Sequence, residues 1–186
     1  QWILCISSAV HELGLAGVPR EWQAQSMSFD VAVIGGGPAG SSAAITAARA
    51  GLRVLLVEKG SYGRDKVCGD GLTPRAIAAL DELKIDYSVA HRIDGLRMIA
   101  GKTQRELAWP TTSRFPNHGA VWPRQKFDNH LLDVAIASGA EVRFDSEALP
   151  VLEGDRVVGV RVGSEVFKAS LVVLATGAQG AAAKML

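Results

Sequence analysis

An α/β fold built on a parallel sheet, with a three-stranded antiparallel meander inserted before its last strand, is what this sequence predicts, and three stretches predict it. The first is VAVIGGGPAGSSAA, Val31 to Ala44, an apolar strand that runs into Gly35-x-Gly37-x-x-Gly40 and then an alanine-rich helix. The second is RVLLVE, Arg53 to Glu58, an apolar strand ending in an acid eighteen residues past Gly40. The third is a run of short strands from Ala148 that closes on LVVLA, Leu171 to Ala175, followed by Thr176-Gly177.

In the first stretch Gly35 permits a tight turn, Gly37 lets the backbone approach a pyrophosphate, and Gly40 lets the helix sit against the strand with its unpaired N–H groups facing the anion. Pro38 suits the first helical position, where no backbone N–H is needed. A glycine triplet alone is weak support, because such turns join strands to helices in many folds that bind nothing. The strand before it and the helix after it supply the missing context. Arg49, Ala50 and Gly51 then read as a helix C-terminus.

Glu58 lies near the spacing of roughly 20 residues at which an acid accepts both hydroxyls of an adenosine ribose. The competing reading is a solvated carboxylate paired with Lys59; the glycine turn favours ribose. A carboxylate there repels a ribose 2′-phosphate, so the expected nucleotide is FAD or NAD rather than NADP.

Residues 60–73, GSYGRDKVCGDGLT, are glycine-rich and read as a loop. Thr73-Pro74 starts a helix with Ile77, Leu80 and Leu83 as its apolar stripe. From Gly95 to Trp122 loose alternation predicts short antiparallel strands, kept at an edge by Pro110, Pro116 and Pro123. Arg124 opens a helix with Phe127, Leu131, Val134 and Ala135 on one face, ended by Gly139. A cation in a first turn opposes the helix dipole, so Arg124 calls for a nearby anion, either a cofactor group or Asp128. Ala140 to Phe144 is the third candidate parallel strand. The meander turns at Gly154-Asp155 and Gly163-Ser164, and LVVLA follows it as a further strand.

At 186 residues, 48% of them hydrophobic and 21% charged, the chain has room for one nucleotide-binding domain. A net charge of +1 without a basic cluster gives no case for a nucleic-acid partner. Cys5 and Cys68 suggest neither a disulfide framework nor a metal site, and the reducing cytoplasm is the expected home. The four histidines share no ligand spacing, so no metal is expected. Trp109 and Trp122 read as core or as pocket walls, Ser41 and Ser42 as packing or capping groups. The apolar opening of residues 1–28 is interrupted by His11 and Glu12, too short for a membrane span. Residues 1–28 are therefore expected to be an extension outside the domain, with residues 1–26 as upstream sequence before Met27. The nucleotide-binding domain is expected over 29–186, with 95–122 the start of an inserted substrate domain.

Four segments, GGGPAGSSAA, RDKVCGDGLTPRA, WPRQKFDNHLLDVAIASGA and LVVLATGAQG, together resemble the FAD-dependent geranylgeranyl reductase family within the p-hydroxybenzoate-hydroxylase-like flavoproteins. The Cys-Gly-Asp-Gly loop is the most specific of them and looks most like bacterial members that reduce the isoprenoid tail of menaquinone. The resemblance implies a Rossmann-like FAD-binding domain. It implies that Gly35, Gly37, Pro38, Ala39 and Gly40 hold the pyrophosphate and that Glu58 with Lys59 frames the ribose. Cys68, Gly69, Asp70 and Gly71 are implied to lie against the isoalloxazine and ribityl region. Arg124 is implied to contact FAD, Ala148 to offer backbone to the adenine, and Thr176-Gly177 to pass near the phosphates. It also implies hydride transfer from reduced flavin to an isoprenoid C=C, with a reduced nicotinamide or another donor and with Cys68 as candidate proton donor; the other reading of Cys68 is a small pocket-lining group. Peripheral contact with a membrane surface is expected from a lipid substrate. The family's second flavin motif, a Gly-Asp segment, lies beyond Leu186, so the chain is expected to be an N-terminal fragment lacking the C-terminal part. The rival expectations are an FAD-dependent aromatic monooxygenase and a non-catalytic nucleotide-binding fragment.

Overall fold

The computed structural model describes residues 28–112 and 114–177. The expected extension, except for Ser28, and the end of the last family segment lie outside the described residues. The chain forms two compact units, one from the described parts of 1–64 and 128–186, the other Asp65–Phe127.

The first unit is a six-stranded sheet. Its strands are β1 (Ser28–Ile34), β2 (Val54–Val57), β8 (Glu141–Arg143), β9 (Ala148–Glu153), β10 (Arg156–Val162) and β11 (Glu165–Leu174), in the order β8-β2-β1-β11-β10-β9. The first four in that order run parallel, Val31 opposite Val54 and Leu171, and Leu55 opposite Glu141. The last three make the antiparallel meander.

Helix α1 (Pro38–Arg49) packs against β1, β2 and β11. It presents Ala43, Ala44, Ile45 and Ala47, all buried, so small side chains bring its axis close to the sheet. Ala32, Ile34, Leu55 and Val57 meet Ala148, Val160, Val162, Phe167 and Ala169 of the meander in one buried cluster. Four-residue β2 is buried throughout, as a continuous apolar strand in a doubly covered parallel sheet should be.

LVVLA does not form a strand of its own. Leu171 to Leu174 are the second half of β11, whose first half is the third meander strand. Nothing between Phe167 and Leu171 supplies turn chemistry, so the chain passes from antiparallel pairing with β10 to parallel pairing with β1 without a break.

The second unit holds β3 (Gly71–Leu72), α2 (Pro74–Glu82), β4 (His91–Ile93), β5 (Gly95–Ala100), β6 (Thr103–Ala108) and β7 (Gly119–Val121). Strands β3, β7 and β4 form one antiparallel sheet, β5 and β6 a hairpin. The expected loop 60–73 thus ends in a short strand, and His91–Ile93 is a strand that periodicity could not reveal. Thr73 caps α2 through its hydroxyl, which accepts the Ala76 amide at 3.4 Å, and Ile77 and Leu80 are buried while Leu83 lies past the helix end.

Helix α3 (Arg124–Ala137) begins in the second unit and continues in the first. Trp122 precedes it, outside any strand, 3% exposed and against Phe127 at 5.2 Å between ring centres, so it is a core group. Gly139, at φ +100°, ends the helix as its position predicts.

Candidate functional site

The turn between β1 and α1 is tight where it meets the sheet and open where it faces outward. Gly35 sits at φ +108°, and a side chain there would strike the Ala175 carbonyl. At Gly40 a Cβ would overlap the Gly35 carbonyl, so helix and strand approach to a distance only glycine allows. Gly37 is the reverse case: a Cβ built there meets nothing within 4 Å.

Gly37 is also the N-cap, with no side-chain cap, and Pro38 occupies the first helical turn. Ala39 is exposed, and Ser41, fully buried, donates its hydroxyl to the Gly36 carbonyl at 3.3 Å, which is the packing role expected of it. The helix therefore presents amides toward an open mouth with no acid of its own in the first turn.

Glu58 lies just past β2, its amide held by the Arg143 carbonyl at 2.8 Å. The side chain is buried and turned back toward the glycine turn, where Oε2 accepts the Gly36 amide at 2.7 Å. Oε1 accepts the Gly60 amide at 2.9 Å. Its ionic partner is Arg64, not Lys59: Nε reaches Oε1 at 3.0 Å and Nη2 reaches Oε2 at 3.1 Å. Burial pushes the carboxyl up, and the Arg64 guanidinium with the Gly60 and Gly36 amides outweighs it, leaving Glu58 below the ordinary carboxylate value. Lys59 is exposed.

Thr176 follows β11, with its amide 3.2 Å from where a Gly35 Cβ would stand, so the two turns are neighbours. Gly177, at φ +75°, carries the sharp turn expected of it. Ala148 opens β9 opposite Val162 and is buried in the core cluster. An open Gly37 mouth, uncapped amides and an ionised acid tied to the same turn fit the pyrophosphate and ribose of a dinucleotide.

In the second unit Asp70, at φ +54°, offers Oδ1 to the Arg124 amide at 2.9 Å, and its carbonyl accepts the Trp122 amide at 2.9 Å. Asp70 thus places a carboxylate at the N-terminus of α3, where the helix dipole favours an anion. Cys68 is exposed, as are Gly69 and Gly71. A hydrogen bond with Arg124, then backbone hydrogen bonds at Asp70 and Gly69, draw the Cys68 thiol below its usual range. Cys68, Asp70 and Arg124 therefore form one polar group.

Sequence reasoning missed Arg64 and the capping role of Asp70. The signal for the first was a lone arginine in a glycine-rich loop six residues after a strand-ending acid.

No helix among the described residues is long and apolar enough to cross a membrane.

Residues 30–184 match the model of a family described as FAD dependent oxidoreductase. A menaquinone reductase of Mycobacterium tuberculosis is 41% identical over 152 residues, covering 78% of this chain and 37% of the relative. Among solved structures, a geranylgeranyl bacteriochlorophyll reductase-like protein of Thermoplasma acidophilum superposes with a TM-score of 0.64 at 31% identity, covering 80% of this chain and 39% of that one. A myxobacterial chondrochloren halogenase, a FAD-dependent halogenase, superposes with a TM-score of 0.72 at 27% identity, covering 83% and 38%. The chain spans about two fifths of the length of the relatives it matches.

Proposed function

This chain belongs to the FAD-dependent oxidoreductase family, and from that premise we propose that it serves the reduction of C=C bonds in an isoprenoid chain, of the geranylgeranyl or menaquinone type. The observation that carries the FAD half of this reading is the Glu58 carboxylate, buried and bound to the amide of Gly36 inside the glycine turn. Support for the prenyl substrate comes from the Cys-Gly-Asp-Gly loop and from relatives named for menaquinone and geranylgeranyl reduction.

When bound, FAD supplies the two-electron chemistry, taking reducing equivalents from a reduced nicotinamide or another donor. The chain's own residues bind and orient it. The amides of Gly37, Ala39 and Gly40 would hold the pyrophosphate in a turn shaped by Gly35 and Pro38; Glu58, with Lys59 beside it in the chain, would take the adenosine ribose, Ala148 would offer backbone to the adenine, and Thr176-Gly177 would pass near the phosphates. In the second unit Gly69, Asp70, Gly71 and Arg124 serve the flavin half.

An isolated alkene is not polarised by a carbonyl, so close positioning and exclusion of water must supply much of the rate. The alkene takes one hydride and one proton. Cys68 is our proton donor: its thiol gives up H⁺ readily because Arg124 and the amides at Asp70 and Gly69 stabilise the thiolate left behind. Peripheral contact with a membrane surface follows from a lipid substrate.

The test is anaerobic incubation of the whole flavoprotein with a polyprenyl quinone and reduced nicotinamide, read by mass spectrometry. The expected product gains two hydrogens per double bond, and Cys68→Ala slows that gain without releasing FAD. The likeness to a halogenase favours a second reading, oxygen-dependent attack on an aromatic ring. Incorporation of oxygen or halogen, with an intact prenyl chain, would replace the first reading by the second. A chain that never acquires a flavin spectrum would leave only a non-catalytic fragment.

A further inference from the structure

We propose that Arg64 is a displaceable latch on the ribose acid, occupying the acceptor positions of Glu58 until the adenylate half of the cofactor takes them. The inference rests on the reading that Glu58 receives the adenosine ribose.

An ionised carboxylate offers about four lone-pair positions. On Glu58 four donors already stand there: Gly60 N and Arg64 Nε on Oε1, Gly36 N and Arg64 Nη2 on Oε2. A ribose diol, which brings two donors, finds no acceptor while both guanidinium contacts persist.

Two of the four donors are backbone amides fixed by the turn and by the strand end. The other two belong to one flexible side chain, 25% exposed where Glu58 is 6%. Only Arg64 can leave.

The acid does not depend on Arg64 for its aim, since each oxygen keeps one amide. The loop that carries Arg64 is itself tied down, Ser61 Oγ to Asp145 at 2.6 Å, the Tyr62 hydroxyl to Asp133 at 2.9 Å and the Gly63 amide to Asn129 at 3.1 Å. Release is therefore a side-chain rotation rather than a loop movement. A second acid waits for the guanidinium, with Asp128 Oδ2 3.9 Å from Nη1, so the departing charge keeps a partner. A Cβ at position 60 would overlap the Arg64 Cδ and stand 3.2 Å from Glu58 Oε1, so glycine there leaves room for both side chains.

Two variants of the full 186-residue chain separate the latch from its alternatives. Arg64→Met removes the two guanidinium donors and keeps an unbranched chain, Arg64→Ala removes them with the chain, and FMN, which carries a phosphate, controls for loss of attraction to phosphate. Flavin-free protein, shown folded by circular dichroism, is titrated with FAD, ADP and FMN. Freeing the competent state should tighten FAD and ADP by about five- to tenfold in both variants. FMN, which lacks the adenosine ribose, should not change.

Unchanged or weaker FAD and ADP binding in a folded Arg64 variant overturns the latch, and Arg64→Ala keeps the test decisive where Arg64→Met fails to fold. If wild type binds FAD and neither variant tightens, only the latch falls. If no form binds FAD or ADP, the nucleotide reading falls with it. Binding by the variants alone would be the latch in its strongest form.

Discussion

Gly37→Ala is the substitution that separates folding from binding at this turn. Its added Cβ meets nothing within 4 Å, and the backbone, at φ −76° and ψ −177°, suits alanine. Alanine is a poorer N-cap than glycine, by roughly 0.5–1 kcal/mol. It also restricts the unfolded chain, a gain of about 0.4–1 kcal/mol. The two effects oppose each other at similar size, so the fold should be nearly indifferent, with a shift in melting temperature of no more than about 2 °C. Binding should not be indifferent. The methyl stands where a pyrophosphate must approach, and losing one hydrogen bond to a charged group costs about 1.5–3 kcal/mol. At 1.4 kcal/mol per decade that is roughly a 10- to 150-fold weaker Kd for FAD. Flavin fluorescence titration of the stripped protein reads the affinity, and thermal melts with and without FAD read the fold. If Gly37→Ala binds FAD as wild type does, the pyrophosphate does not pass over Gly37. If it lowers the melting temperature steeply without ligand, the mouth is packed rather than open.

Gly40→Ala should behave oppositely, because its Cβ overlaps the Gly35 carbonyl; a loss of about 1–3 kcal/mol by chemical denaturation is expected, and an undiminished midpoint would contradict the close helix approach. Glu58 has a folded pKa below its unfolded one, so its contribution is present above the ordinary carboxylate value, about pH 4.3, and is lost as pH falls through the folded value. Glu58→Gln should therefore be less stable than wild type at pH 7 with the gap closing in acid, and a gap that widens in acid would reverse the sign. For Cys68 the pH profile of alkylation, followed on its own peptide because the sequence holds a second cysteine, should rise at lower pH than a free thiol, and Arg124→Met should move it upward; coincident profiles would remove Arg124 as the cause.

What could be read along the chain was whatever depends on near neighbours. The β1–turn–α1 unit is legible because three glycines, a proline and the small residues of α1 each answer a local demand, and Glu58 is legible because a strand of fixed length delivers it there. Strands β3 and β4 are two and three residues long, too short to carry a period. They exist because β7 offers edges to both. LVVLA looked separate because its apolar run differs from the alternating stretch before it. That change marks one strand passing from antiparallel pairing with β10 to parallel pairing with β1, not a chain break.

Arg64 is the instructive omission. Six residues past the acid in a glycine-rich loop, it has no spacing rule that pairs it with Glu58, and Lys59 next door is the obvious cation. Lys59 sits in a bend past the strand end and is exposed, while Glu58 is buried and turned inward. The acid's counter-ion has to come from a segment that folds back over it, and the loop anchored through Tyr62 and Gly63 does so. The consequence reaches the cofactor. A buried carboxylate with no partner would be driven toward its neutral form, in which one oxygen becomes a donor and the acid can no longer accept both ribose hydroxyls. With Arg64 and two amides on it, Glu58 is ionised before any nucleotide arrives, so binding exchanges one set of donors for another rather than creating the charge. FAD affinity should then be flat from pH 6 to 8, and release of a proton by the protein on binding, measured in buffers of different ionisation enthalpy, would show that the acid is not pre-ionised.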